Sequence, residues 1–184
     1  MTGARLYAIG DVHGHFRELR ALYGQLLEDG FRPSQDRLVF LGDYVDSGPD
    51  AHLVVQQMIA WQRMFPHWTF LFGNHEAMML EAQTAWDAGD RKLFSRWWGN
   101  GGDATWRAYA GPDGRIDPER NPLAAVDPAH LFWMSTLPRA IETKRYIFVH
   151  AGLRPPLPPA QNDPEDLIWI RDDFIRSDYD WGKV

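Results

Sequence analysis

The chain has no cysteine, which excludes a disulfide framework and any thiolate metal site. It has no apolar run of membrane-spanning length, and the first such run, residues 6–9, is only strand-sized. Basic charge is in deficit: 19 Lys and Arg stand against 25 Asp and Glu, a net charge of −6 without a long basic run, so duplex nucleic acid is not an expected partner. The N-terminus lacks the charged, apolar, then small-residue succession of a signal peptide. Repeats and an interdomain linker are also lacking. These absences predict one cytoplasmic domain, residues 1–184, with no membrane partner. Tryptophan, in contrast, is abundant at nine residues, and core packing is its expected use.

Apolar runs at 5–9, 37–41 and 68–72 predict three strands, each followed by a helix. The first helix carries Phe16, Leu19, Leu22, Tyr23, Leu26 and Leu27 at helical spacing and ends near Gly30. The second starts at a cap, Asp50, carries Leu53, Val54, Met58 and Trp61, and is broken by Pro66. A short helix with Met78, Met79 and Leu80 follows the third strand. The βαβαβα order predicts an α/β fold with helical crossovers. Residues from about 82 to 137 form a helical insertion, broken by glycines at 99–102 and by 111–114, with Asp127-Pro128 starting a helix. Strands return at 139–143 and 145–149, before a Pro-rich loop at 155–159 and a last apolar segment at 167–171.

Polar groups follow four of the apolar runs: Asp11 and His13, Asp43 and Asp46, Asn74 and His75, and His150. Open α/β sheets bind ligands at the carboxyl ends of their strands, so these groups can converge on one edge. Taken alone, each Asp is a turn former and each His a polar surface residue. As an ordered set they offer carboxylate, imidazole and amide ligands without thiol, which suits Mn²⁺, Fe²⁺ or Zn²⁺ in an open site. Two such ions sharing a carboxylate favour phosphoester hydrolysis. His52, His67 and His130 lack this context, and His15 is not expected to be a ligand.

The motifs GDVHG at 10–14, GDYVDSG at 42–48, GNHE at 73–76 and HAG at 150–152 resemble those of the phosphoprotein phosphatase branch of the calcineurin-like metallophosphoesterases, in the style of small bacterial and phage protein phosphatases. Weaker matches are Asn100-Gly101-Gly102 and the run at 167–171. The resemblance implies a four-layer α/β sandwich, two mixed sheets flanked by helices. It implies two divalent metal ions, Mn²⁺ first, with Asp11 and His13 on one, Asp43 bridging, and Asn74 and His150 on the other. It makes His75 the proton donor to the leaving alkoxide and Asp46 the holder of its imidazole. Arg171, Asn74 and the residue at Ser47 would touch the phosphate. The implied activity is hydrolysis of phosphomonoesters in phosphoproteins or small phosphoesters, by direct attack of a metal-held hydroxide.

Two departures stand out. The family's second motif ends in Arg-Gly, where this chain has Ser47, a hydroxyl without charge or fork. The family also takes a histidine for its second metal from a Gly-His-Thr motif, and no histidine follows His150 here. The expectation is a C-terminally incomplete chain whose second site lacks one ligand and whose sheet lacks one strand. The alternatives to a protein phosphatase are a dinucleoside polyphosphate hydrolase and a catalytically weakened metal- or phosphate-binding homologue.

Overall fold

The computed structural model describes residues 3–111, 114–115 and 120–184. Pro112 and Asp113, part of the expected break at 111–114, lie outside the described residues. Strands β1 (Leu6–Ile9), β2 (Arg37–Phe40) and β3 (Thr69–Phe70) form a parallel sheet in that order. Its register pairs Leu6 with Arg37 and Val39 with Thr69. Helices α1 (Phe16–Glu28) and α2 (Ala51–Met64) make the crossovers. Strands β4 (Ala140–Glu142) and β5 (Ile147–Val149) form a separate antiparallel ladder. Among the described residues the two sheets are thus one parallel and one antiparallel ladder rather than two mixed ones. The connections explain this: helices return the chain to the same edge in the first, and a tight turn reverses it in the second.

All five strands are shorter than their apolar runs. In β3 the cause is visible. The Leu71 N–H still donates to Phe40 O, at 2.9 Å, but the Phe72 N–H turns away to Pro138 O. The chain leaves the ladder there and delivers Gly73 to the site. The expected short helix is instead α3 (Asn74–Asp87), fourteen residues long. Helix formers run from Ala77 to Ala85 with no Gly or Pro, and Met78, Met79, Ala82 and Ala85 are buried. Asp50 sits at the N-cap of α2 without a side-chain cap bond; its backbone N–H donates to Gly14 O, tying α2 to the first loop.

The helical region continues with α4 (Arg91–Trp97), a π-type turn (Trp98–Gly102), α5 (Asp103–Ala110) and α6 (Pro128–Ser135). The Asp127 side chain caps α6 by accepting from the Ala129 N–H at 2.8 Å, with Pro128 in the first turn. The segment at 167–171 becomes α7 (Asp166–Trp169), an extended Ile170 and the start of α8 (Asp172–Ile175). Val184 exchanges backbone hydrogen bonds with Arg145 and Ile147 beside β5.

Trp61, Trp68, Trp97, Trp106 and Trp133 are buried in the core, in keeping with their expected use. Phe40 stacks on Phe70 and Trp61 at 5.1 and 5.8 Å between ring centroids, which seals the sheet against α2. Among the described residues no helix is long and apolar enough to cross a membrane.

Candidate active site

The loops after β1, β2 and β3 meet around Asp43. The N–H groups of Val12 and His13 both donate to Asp43 O, at 2.9 and 2.8 Å, and Gly14 N–H donates to Tyr44 O. This zips the first loop to the second. Glu76, wholly buried at the start of α3, accepts from the backbone N–H of Asp43, Tyr44 and Gly73 at 2.8–3.0 Å. One carboxylate thereby joins the second loop to the third. Burial, then the Asp43 charge, pushes the Glu76 carboxyl up to about 8, while the backbone donors pull it down.

His13, Asp43, Asp46 and Ser47 have φ of 45, 54, 70 and 66°, a left-handed conformation that is costly for residues with a Cβ. No other described non-glycine residue shares it. Each such residue costs about 1–3 kcal/mol, which the inter-loop bonds must offset. Strain of this kind gathers where side chains must be aimed. Gly73 is forced by a different constraint, because a Cβ there would collide with Asp43 Oδ1.

Asp43 is the hub of the cluster. Its Oδ1 accepts the His75 backbone N–H at 3.1 Å, so its charge lies at the N-terminus of α3. Its Oδ2 lies 3.5 Å from His13 Nε2, 3.5 Å from His150 Nε2 and 4.0 Å from His75 Nε2. The other nitrogen of each ring is already engaged. His13 Nδ1 is 2.9 Å from Val45 O, and His150 Nδ1 is 2.8 Å from Leu41 O. Both Nδ1 atoms must donate, so in the neutral rings Nε2 is a bare lone pair aimed at a carboxylate. Asn74 Oδ1 is 2.7 Å from His150 Nε2. Asp11 Oδ2 is 3.9 Å from His13 Nε2, and ligand atoms of Asp11, Asp43 and His150 lie within 4.8 Å of one another.

Acceptors facing acceptors at these distances are explained by a cation between them. Ligands of a tetrahedral or octahedral ion with bonds of about 2.0–2.2 Å stand roughly 3.0–3.5 Å apart, close to the spacing around Asp43. The donor set of oxygen and imidazole nitrogen fits a divalent ion. The structure thus brings Asp11, His13, Asp43, Asn74 and His150 together.

Asp46 and His75 form a second cluster beside the first. Asp46 is fully buried and its Oδ2 lies 2.8 Å from His75 Nδ1. Burial raises the Asp46 carboxyl, and its donors oppose the rise. For His75, burial favours the neutral ring, but the Asp46 hydrogen bond and the charges of Asp43, Asp46 and Glu76 outweigh it and raise the imidazole. Its Nδ1 faces the Asp46 carboxylate, and its Nε2 lies on the opposite side of the ring, 4.0 Å from Asp43 Oδ2.

Ser47 is exposed, and its N–H donates to Gly101 O of the π-type turn, so the Asn100-Gly101-Gly102 motif abuts the strained loop. Arg171 lies farther out. It is exposed at the N-cap of α8 and lines a depression with Arg154, Asp166 and Trp169. Among the described residues no hydrogen bond or ion pair joins Arg171 to the cluster. Its neighbour Ile170 packs near Gly152, two residues beyond His150. A cavity of about 570 Å³ opens beside Asp11, lined also by Ile9, Val12, His15 and Leu19. His130 bonds Tyr109 and His67 bonds Pro33 O, both away from the cluster.

Three site residues were not anticipated from the sequence. Glu76 had a signal, an acidic N3 position after the Gly73 N-cap. Trp97 and Thr105, which bond Asp46, had none, since they lie 51 and 59 residues away in the chain.

The chain belongs to the calcineurin-like phosphoesterase family, whose profile matches residues 4–184. It is 34% identical over 153 residues to a symmetrical bis(5'-nucleosyl)-tetraphosphatase of Aromatoleum aromaticum, covering 82% of this chain and 45% of that protein. It is 35% identical over 98 residues to serine/threonine-protein phosphatase 2 of Escherichia coli, covering 53% of this chain and 38% of the relative. The fold is similar to a protein serine/threonine phosphatase structure from Saccharomyces cerevisiae, with a TM-score of 0.54, 18% identity, and coverage of 91% of this chain and 52% of that one. The chain thus spans about half the length, or less, of the relatives it matches.

Proposed function

We propose that this chain hydrolyses phosphomonoesters with two divalent cations, Mn²⁺ first, as a serine/threonine protein phosphatase. The observation that supports this reading is the buried Asp46–His75 pair at 2.8 Å. Asp11 and His13 would hold one cation, Asp43 would bridge, and Asn74 and His150 would hold the other. Bound cations supply a nucleophile from water at neutral pH and neutralise phosphoryl charge. His75 holds a proton at Nε2 for the leaving oxygen, and Asp46 fixes the ring through Nδ1. Ser47, Asn74 and Arg171 bind the phosphoryl oxygens.

The leaving group separates this reading from its rival. A serine alkoxide is a poor leaving group and needs a proton as it departs. A nucleotide leaving a polyphosphate departs as a phosphate and needs far less help. A buried, carboxylate-held imidazole therefore favours the monoester. The second reading, a symmetrical dinucleoside tetraphosphatase, draws on the Aromatoleum aromaticum relative, which matches across 82% of this chain. The test compares hydrolysis of a phosphoserine peptide and diadenosine tetraphosphate with Mn²⁺ supplied, in wild type and His75→Ala. Preference for the peptide, with a loss of about 10²–10⁴-fold in the variant, is expected. Preference for the dinucleotide would favour the second reading, and equal rates in both proteins would remove His75 from the chemistry.

A further inference from the structure

We infer that Trp97 and Thr105, supplied by the helical region between β3 and β4, are positioning residues that determine how well His75 expels poor leaving groups. The inference rests on the reading of His75 as proton donor.

The Asp46 carboxylate has no contact with solvent, and its two oxygens are divided between two tasks. Oδ2 takes His75 Nδ1 at 2.8 Å. Oδ1 accepts both the Trp97 Nε1–H at 3.0 Å and the Thr105 hydroxyl at 2.8 Å. The Asp46 N–H in turn donates to Thr105 Oγ at 2.7 Å. Thr105 thus closes a ring with the backbone and side chain of a single residue. Rotation of the Asp46 side chain would break both Oδ1 bonds, so Oδ2 stays fixed on the imidazole. The two neutral donors also favour the anionic carboxylate, which burial alone would disfavour.

The surroundings show that the indole N–H is placed rather than merely packed. Trp97 is wholly buried with Phe94 and Trp98 against it, surroundings that a phenyl ring would also satisfy. Its indole has a place because residue 102 is glycine; a Cβ there would collide with the ring. The same turn holds the next residue of the loop, through the bond from Ser47 N–H to Gly101 O at 3.1 Å. The helical region therefore grips two of the four left-handed residues, Asp46 and Ser47, from outside the sheet.

In the reaction served, a bond forms from water oxygen to phosphorus. The ester P–O bond breaks with its electron pair on the leaving oxygen, which takes the proton from His75 Nε2. The proton released by the attacking water restores the imidazolium through solvent. A misaligned ring penalises this transfer most when the leaving oxygen is most basic.

The test measures kcat and KM on a phosphoserine peptide and on p-nitrophenyl phosphate, with Mn²⁺ supplied, for wild type, His75→Asn, Trp97→Phe, Thr105→Val and Thr105→Ser. Trp97→Phe and Thr105→Val are expected to lose about ten-fold more kcat on the peptide than on the aryl ester. KM should hardly move, and Thr105→Ser should keep the wild-type ratio. Equal losses on both substrates, or Thr105→Ser as impaired as Thr105→Val, would overturn the inference. If His75→Asn shows no leaving-group dependence, the reading of His75 fails first; if it does and the other variants do not, this inference alone fails. A second readout needs neither metal nor turnover. The His75 Nδ1–H resonance should be protected from solvent exchange in wild type and Thr105→Ser and lose protection in Thr105→Val. Unchanged protection in Thr105→Val would overturn the inference even if Trp97→Phe does not fold.

Discussion

Asp43 and Asp46 stand three residues apart on one loop, both buried, in opposite surroundings. Asp46 meets three donors: an imidazole, an indole and a hydroxyl. Asp43 Oδ2 faces the lone pairs of His13 and His150. A third buried aspartate, Asp36, marks the ordinary solution, because the chain supplies its cations: Arg32 Nη2 at 2.8 Å and Arg5 Nη2 at 3.4 Å. A buried charge must be compensated. Asp36 is compensated by two arginines, Asp46 by an imidazole with an indole and a hydroxyl, and Asp43 by one backbone N–H on Oδ1, which leaves Oδ2 facing lone pairs. The nature of the neighbours, more than burial, sets the three carboxylates apart.

The sharpest way to break this contrast is to neutralise each aspartate with asparagine. Asp43→Asn should abolish tight metal binding and lower kcat/KM by about 10³-fold, the upper range for removing an electrostatic group from an active site. In metal-free protein it should stabilise the fold by about 1 kcal/mol, because the new amide can donate to a histidine lone pair. Asp46→Asn should do the reverse to stability. It loses charged acceptors for three donors and should destabilise metal-free protein by about 2–3 kcal/mol while metal content changes little. Thermal melts without metal, and metal analysis after dialysis, read both outcomes. Asp43→Asn and Asp46→Asn moving stability in the same direction would erase the distinction.

Ser47→Arg probes the boundary between the two poles. Ser47 already holds φ of 66° with a Cβ, so arginine adds little backbone strain. Its side chain is exposed and free to turn toward a phosphate. A gain of roughly ten-fold in kcat/KM on phosphopeptide is expected, below the 10²–10³ that losing a native electrostatic donor costs. No gain with metals bound would show that this loop does not present residue 47 to the phosphate.

Much of this contrast was legible in the residues. The strand–loop–helix order located Asp11, His13, Asp43 and Asn74, since each follows an apolar run and parallel strands end on one edge; His150 also follows an apolar run, but one in the antiparallel ladder. The Asp46–His75 contact followed from the motifs. Trp97 and Thr105 were not legible, because a hydrogen bond between residues more than fifty positions apart leaves no local periodicity. The motif at 73–76 marks where α3 begins, but its length is set by the breaker-free run after it. Apolar runs outlast the strands they hold, because a residue such as Phe72 can be buried after its N–H has left the ladder for Pro138. Arg171 rests on the family pattern alone, and the fold carries it at the N-cap of α8 beside Arg154 and Trp169.

The smallest expected effect comes from Asp36, and it calibrates the other two. Its carboxyl is held well below the usual range, first by the Arg32 side chain and further by the Arg5 and Arg32 backbone N–H groups, against the opposing effect of burial. A folded-state pKa below the unfolded one means the folded protein binds the proton more weakly. The ion pair therefore stabilises the fold above the unfolded value of about 4, and this contribution fades as pH falls toward the depressed folded value. Asp36→Asn should lower the melting temperature most near neutral pH, with the gap to wild type narrowing through the acid range. Metal binding and leaving-group preference should not change, because Asp36 joins Arg5 and Arg32 rather than the loops around Asp43. A gap that stays constant from neutral to strongly acid pH would mean that the Asp36 charge contributes nothing, and that even the fully paired carboxylate is held only by its shape.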